Sequence, residues 1–443
     1  MPRHLAKLAI GLAVAIFALA GAGAAVAAHG KPHKRKRPQP TTAVLGGVNV
    51  IGLNYGSTTA SIDSAIAQAH ALHAKVVRTE VAWSTFEPQQ GQIDATTQSS
   101  ADRLVSDAAA DGMRVIMVVD STPCWTSTAP TALLNSCSPV FGGEANSWPP
   151  ASPAAYAAFM AYLAGRYGAH LAALEVWNEP DQSNEQYFAG PNKAERYVAV
   201  LRAAYPAIKA VDPSLPVLGG SIVGSNGAFL RLLYEKGMKG YYDGLAVHYY
   251  TLTLAAVRSI HEVQLANGDR TPLWLDEFGW SSCFPQESIE QEQDCVTPRT
   301  QATNLANTFR ALARSPYVAA AVSYKLQDSS TEDFGVLGAA GARKPSFAAF
   351  ASALASPFGS ISPVTLRLRR KGSSLIASGS APVGDYLRLE VFHGKVLRYW
   401  ELFTLNRFDE YSLTLPPVLG THGLRVRVYQ YWAGIGKAAQ KTI

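Results

Sequence analysis

Two carboxylates stand at the ends of short apolar runs about a hundred residues apart. Leu174-Glu175-Val176-Trp177-Asn178-Glu179-Pro180 delivers Glu179 to a turn former, and Leu273-Trp274-Leu275-Asp276-Glu277-Phe278-Gly279-Trp280 delivers Glu277 to another. Each run reads as a buried strand. Two carboxyls presented at strand ends suit paired acid chemistry, in which one group carries a proton and the other stays ionised. Asp276 beside Glu277 is expected to point away from it, because successive side chains of a strand alternate.

The elements that would position this pair follow a regular alternation. Apolar strand candidates are Val48–Leu53, Lys75–Thr79, Arg114–Val119, Ala173–Trp177, Pro216–Gly219, Gly244–Val247, Leu273–Asp276 and Val318–Tyr324. Between them lie helical patterns at Ala60–Ala74, Ser99–Ala110, Pro153–Tyr167, Ala194–Val211 and Thr300–Ala313, with apolar positions three and four apart. Eight strand–helix units predict a (β/α)8 barrel over residues 44–356, although a doubly wound open sheet shares this periodicity. In a barrel, residues at the carboxyl ends of strands line the active mouth, which places Glu179 and Glu277 on the fourth and seventh strands.

After Pro363 the period changes to two, as in Thr365-Leu366-Arg367-Leu368-Arg369, Tyr386–Val391 and Leu424–Val428. Residues 357–443 therefore read as a small antiparallel β-sandwich, an accessory domain packed on the barrel. Its aromatics Tyr399, Trp400, Tyr429, Tyr431 and Trp432 suit a core or a carbohydrate platform.

At the other end, Arg3 and Lys7 precede an apolar run that closes with Ala25-Val26-Ala27, a secretory signal peptide over residues 1–28. Residues 29–43, with Lys31-Pro32-His33-Lys34-Arg35-Lys36-Arg37, form a basic, proline-rich linker suited to cell-wall association. The net charge is +6, yet seven basic and no acidic residues lie in the first 43, leaving 32 basic against 33 acidic in the body. A near-neutral body excludes an electrostatic nucleic-acid binder, and no stable membrane partner is expected once the signal is cleaved. The four cysteines pair most simply within two strand-to-helix connections, Cys124 with Cys137 and Cys283 with Cys295. No Cys-x-x-Cys, His-Glu-x-x-His or Gly-x-Ser-x-Gly motif is present, and neither metal nor cofactor is expected.

Further motifs occur in order. Arg78 ends the second strand and is followed by Trp83 and Glu87-Pro88…Gly91…Asp94; Thr122-Pro123-Cys124-Trp125 follows the third. His248-Tyr249-Tyr250 ends the sixth, and Asp333-Phe334-Gly335 to Lys344-Pro345 closes the eighth unit. With Trp177-Asn178-Glu179-Pro180 and Glu277, this order resembles the clan of retaining (β/α)8 glycoside hydrolases that includes cellulase-like enzymes, β-xylosidases and α-iduronidases, over about residues 48–352.

The resemblance implies that Glu179 is the general acid/base and Glu277 the nucleophile. Glu179 is then expected to have a raised pKa, from burial and from Glu277 nearby, while Arg78 and the Tyr250 hydroxyl keep Glu277 ionised. Asn178 would bond the sugar 2-hydroxyl, His248 would orient the acid/base, and Trp83, Trp125 and Trp280 would offer stacking faces. Where the clan often has a Trp at the end of the eighth strand, this chain has Tyr324. The expected function is a secreted O-glycosidase acting on a carbohydrate chain. The alternative is a non-catalytic carbohydrate-binding or cell-wall protein on the same fold.

Overall fold

Helix starts are written locally: Thr58, Asp94, Ser152 and Thr297 each accept a hydrogen bond from the backbone N–H three residues on. Proline at the first helical position follows the last two, where its missing N–H costs nothing. The computed structural model describes residues 44–50, 52, 57–250, 253–285, 295–382, 386–406, 409–430 and 438–443. The expected signal peptide and linker, and Tyr431 and Trp432, lie outside the described residues.

Eight parallel strands run β1 (Leu45–Asn49), β2 (Val76–Ala82), β3 (Arg114–Asp120), β4 (Leu171–Val176), β5 (Val217–Ile222), β6 (Gly244–His248), β7 (Leu273–Phe278) and β8 (Val318–Ser323). They form a closed barrel in chain order, and the pairing of Leu45 with Ala320 across β1 and β8 rules out the open sheet. Among the helices outside it are α1 (Thr59–Ala71), α2 (Trp83–Phe86), α3 (Ala95–Ala110), α4 (Thr131–Leu134), α5 (Pro153–Tyr167) and α6 (Lys193–Val211). Then come α7 (Ala228–Glu235), α8 (Thr253–Ala266), α9 (Pro298–Leu312) and α10 (Pro345–Ala355). The first strand begins three residues earlier than its apolar run suggests, because its pairing with β8 starts at Leu45.

Two apolar layers hold the barrel. Its interior packs Val76, Ile116, Ala173, Leu218, Ala246, Trp274, Ala320 and Val322, while a larger shell joins the strands' outer faces to the helices. Trp274 is the largest side chain of this interior cluster. A Cβ on Gly244 would lie 2.4 Å from the Trp274 indole nitrogen, so this position accepts hydrogen alone.

The antiparallel domain has two sheets, one of β9 (Arg367–Lys371), β10 (Ser374–Ser380) and β13 (Glu410–Leu415). The other contains β11 (Leu387–His393), β12 (Val396–Phe403), β14 (Leu424–Gln430) and β15 (Ala439–Thr442). Period two is visible in β14, whose burial alternates along its length, and Leu375, Leu389, Val426 and Val428 fill the space between the sheets. This sandwich packs on α9 through Asn307, which donates to Ser362 Oγ at 3.2 Å and accepts from the Ser362 amide at 3.1 Å. Tyr399 lies against the sandwich core and Trp400 is exposed beneath the Arg388 guanidinium, 4.7 Å from its ring centre.

Gly244→Val is expected to lower stability by about 1–3 kcal/mol through overpacking against Trp274. A thermal or denaturant midpoint at the wild-type value would contradict this packing.

Candidate active site

Glu179 and Glu277 meet at His248. Its Nδ1 lies 2.8 Å from Glu179 Oε1 and 3.5 Å from Glu277 Oε2, and one oxygen of each carboxylate and the shared nitrogen all lie within 4.8 Å of one another. Arg78, Asn178, Tyr250 and Glu277 complete the same cluster, as their order along the chain predicts.

Arg78, from the middle of β2, spends all five of its N–H donors here. Nε and one Nη2 hydrogen form a fork onto Glu175 at 3.0 and 3.1 Å; the other Nη2 hydrogen meets Asn178 Oδ1 at 2.9 Å. Nη1 reaches Glu277 Oε1 at 2.7 Å and Asn49 Oδ1 at 3.1 Å. Tyr250 donates to the other Glu277 oxygen at 2.6 Å, and its ring rests on Phe334 and Tyr324. Gln182 donates to Glu179 Oε2 at 2.6 Å.

Backbone distortions aim these groups. Trp177 and Glu179 have φ of +69° and +42°, in the left-handed region that costs a side chain about 1–3 kcal/mol. That cost is offset by locking Trp177: its indole donates to Tyr187 O at 2.8 Å, its amide to Val119 O at 3.0 Å, and its ring is enclosed by Tyr156 and Phe188.

Asp276 departs from expectation. Val247 of β6 pairs with Leu275, but His248 pairs with Glu277, so β7 carries one extra residue at Asp276. This bulge interrupts the alternation and turns both acids toward Arg78: Asp276 lies 3.2 Å from Nε, as well as 3.6 Å from His248 Nε2.

The electrostatics follow. Burial opposes the charge on Arg78, but Glu175, Glu277 and Asp276 outweigh it and hold the guanidinium protonated. Burial likewise disfavours a charged His248, yet Glu277 and Asp276 raise its pKa well above the usual value. Glu175 is pushed up to about 8 by burial against Arg78. For Asp276 burial is overridden by His248 and Arg78, down to about 2. Burial raises Glu277 despite His248 and Arg78. The expectation for Glu179 is corrected: burial pushes it up, but the hydrogen bond and charge of His248 bring it below its ordinary value. The carboxylates around His248 thus favour its charged form, 2.8 Å from Glu179 Oε1.

The tryptophans are the other correction. Trp83 is wholly buried among Trp125, Tyr156 and Phe159, and Trp280 belongs to the core beside Phe278; neither leaves a ring face for a sugar. Trp125 is half-buried and lines a cavity of about 350 Å³ along α5 whose lining includes neither Glu179 nor Glu277. Tyr324 is half-buried at the cluster, with its ring 6.0 Å from that of Tyr250. The Glu87…Gly91…Asp94 motif proves local: Glu87 accepts from the Trp83 indole at 2.6 Å and the Gly91 amide at 2.7 Å, and Asp94 caps α3. In the tail, Lys344 binds Asp328 at 2.9 Å and Asp328 accepts from the Gly335 amide at 2.7 Å. Both expected disulfides, Cys124–Cys137 and Cys283–Cys295, are formed. Glu175, His248 and Asp276 have the spacing of a metal-ligand set, but Arg78 stands within 3.0 Å of Glu175 and 3.2 Å of Asp276 and supplies the positive charge.

Glu175, Gln182 and Asn49 were not foreseen as site residues. Glu175 alone left a signal, a carboxylate inside an apolar strand.

A closed parallel barrel with paired carboxylates at its mouth is the architecture of glycoside hydrolases. The family model described as cellulase (glycosyl hydrolase family 5) matches residues 37–314, and the chain belongs to that family and is a glycosidase acting on O-glycosyl compounds. Among solved structures, a family 39 glycoside hydrolase from Bacteroides cellulosilyticus WH2 shares the fold at TM-score 0.56 and 17% identity, over 85% of this chain and 81% of that one. A glucosidase from Croceicoccus marinus matches at 0.55 and 11%, over 85% and 94%. A monomeric β-xylosidase from Caulobacter crescentus CB15 matches at 0.51 and 15%, over 85% and 95%. No curated protein matches the sequence.

Because Glu277 and Asp276 favour the charged imidazole, His248 is expected to release its proton at higher pH than a free histidine does. Nitrogen-15 NMR of labelled histidine checks this; a neutral imidazole at pH 7 would contradict the charge distribution.

Proposed function

We propose that the chain is a secreted retaining O-glycoside hydrolase working by double displacement through a covalent glycosyl-enzyme. The observation that carries this reading is the separation of the Glu179 and Glu277 carboxylates, whose nearer oxygens lie within 4.8 Å. Retaining enzymes hold the pair about 5–5.5 Å apart, whereas inverting ones leave about 6.5–9.5 Å for a water.

In this reading Glu277 attacks the anomeric carbon. Arg78 and Tyr250, one donor on each oxygen, keep it anionic in a site where burial alone would protonate it. Glu179 delivers a proton to the departing oxygen. That proton comes along the 2.8 Å hydrogen bond from His248, so the pair acts as one acid whose charge is unchanged by the internal transfer. Once Glu277 is esterified, Glu179 takes the proton of the incoming water. Asn178, its carbonyl oxygen held by Arg78, turns its amide nitrogen to the sugar 2-hydroxyl. Secretion is supported by the Ala25-Val26-Ala27 signature and by the two disulfides. Carbohydrate is the substrate class.

Glu277→Gln is expected to lower kcat/KM by about four orders of magnitude or more on every substrate. Glu179→Ala should lose far less on aryl glycosides with acidic leaving groups, which depart without a proton, than on unactivated ones. Equal losses of the Glu179 variant across leaving groups, read by initial rates, would exclude its role as the acid.

A further inference from the structure

The near-neutral charge of the folded body hides a split. Residues 44–356 carry 20 Lys and Arg against 28 Asp and Glu, whereas residues 357–443 carry 12 against five. The basic excess has a place. In the four-stranded sheet, ordered β12-β11-β14-β15, Leu387, Leu389, Val391, Leu424, Val426 and Val428 face the sandwich core, so the residues between them on β11 and β14 face outward. Those outward residues are Arg388, Glu390, Phe392, Arg425, Arg427 and Tyr429, and cross-strand pairing sets Glu390 between Trp400 of β12 and Arg427 of β14.

Each of these arginines lies on a ring. The Arg388 guanidinium is 4.7 Å from the Trp400 ring centre, that of Arg425 is 4.3 Å from Phe392, and that of Arg427 is 4.6 Å from Tyr429. Stacking covers the flat face of a guanidinium but leaves its N–H donors in the plane, and it fixes that plane before any ligand arrives. One carboxylate stands among the three. Glu390, 7% exposed, lies 3.0 Å from Arg388 and 3.7 Å from Arg427, and accepts from the Tyr429 hydroxyl at 3.0 Å. The hydrogen-bond partner of Arg425 is the neutral Gln440, at 3.4 Å, and no carboxylate pairs with it among the described residues. Lys395 and Arg398, in and after the turn from β11 to β12, are exposed as well.

Such a face complements a polymer that repeats negative charge on flat groups. A neutral glycan offers it no counter-charge, and a single-stranded nucleic acid would seek uncovered rings on which bases stack, whereas all three rings here carry a guanidinium. A uronic acid unit supplies what is missing. Its planar carboxylate takes two parallel N–H donors from one guanidinium, and its pyranose presents a C–H face that suits the exposed Leu397 and Leu402 of β12. We propose that this outer face docks a carboxylate-bearing polysaccharide, a polyuronate, at a surface separate from Glu179 and Glu277. The choice of a glycan among polyanions rests on the glycosidase reading above; docking itself needs no turnover.

Binding is measured by isothermal titration of the full secreted chain, with Glu277→Gln so that no polymer is consumed. The ligands are polygalacturonate, its neutral methyl ester, dextran, dextran sulfate and single-stranded DNA. Polygalacturonate is expected to bind, more weakly as salt rises, and the ester and dextran are not. Arg425→Gln together with Arg427→Gln should weaken that binding about tenfold or more. Arg425→Gln alone, which strands no carboxylate, serves should the pair fail to fold. Arg425→Lys keeps the charge but loses the fork, and should recover only part of the affinity. The basic residues of Lys31–Arg37 are common to every form, so the difference between forms belongs to the sheet. A chain that binds polygalacturonate through these arginines but cleaves no glycoside supports the docking surface and removes only the hydrolase reading. No binding of polygalacturonate, equal binding of its ester or of dextran, affinity unchanged in the arginine variants, or tighter binding of dextran sulfate or DNA overturns the proposal.

Discussion

Everything at the barrel mouth depends on one buried guanidinium. Arg78 satisfies all its donors on Glu175, Glu277, Asn49 and Asn178 and lies against Asp276. Removing one partner of such a buried set leaves charges uncompensated, at a cost of about 3–5 kcal/mol. The same contacts tie five strands or strand ends together, because Asn49, Arg78, Glu175, Asn178 and Glu277 come from β1, β2, β4, the turn after β4, and β7. Groups contributed by distant segments are thereby held around a single cation.

The rest of the local architecture serves that contact. The bulge at Asp276 lets β7 present two consecutive acids inward, one steadying Arg78 and His248 and the other reaching the cleft. Left-handed residues at Trp177 and Glu179 lift the fourth strand's carboxylate to His248. Burial raises the Glu175 carboxyl, the acids around His248 favour its charged form, and the hydrogen bond between His248 and Glu179 lowers Glu179.

Much of this was legible in the chain. Positions at or near strand ends place Asn178, Glu179, His248, Tyr250 and Glu277 in order, because a barrel converts position along the sequence into position around a ring; Arg78, expected at the end of its strand, lies within β2, which runs on to Ala82. What failed did so where period and composition underdetermine geometry. Alternation turns Asp276 away from Glu277, and a single inserted residue in β7 defeats it so that both acids reach Arg78. By composition Trp83 and Trp280 suit a sugar platform and core packing equally, because aromatics near a mouth and aromatics sealing the strand–helix interface look alike in sequence; the indole of Trp83 is claimed by Glu87, four residues on. The pKa of Glu179 was expected to rise from burial and Glu277, and the ordering was reversed by a hydrogen bond to His248 whose 2.8 Å length no sequence encodes.

The central claim is that Arg78 and Tyr250 keep Glu277 an anionic nucleophile facing the acid. Incubation with a panel of 5-fluoro glycosyl fluorides, followed by intact mass measurement and peptide mapping, addresses it directly. The account predicts a single glycosyl adduct on the peptide containing Glu277. An adduct on another carboxylate, or turnover that yields inverted product with no adduct at all, would contradict it.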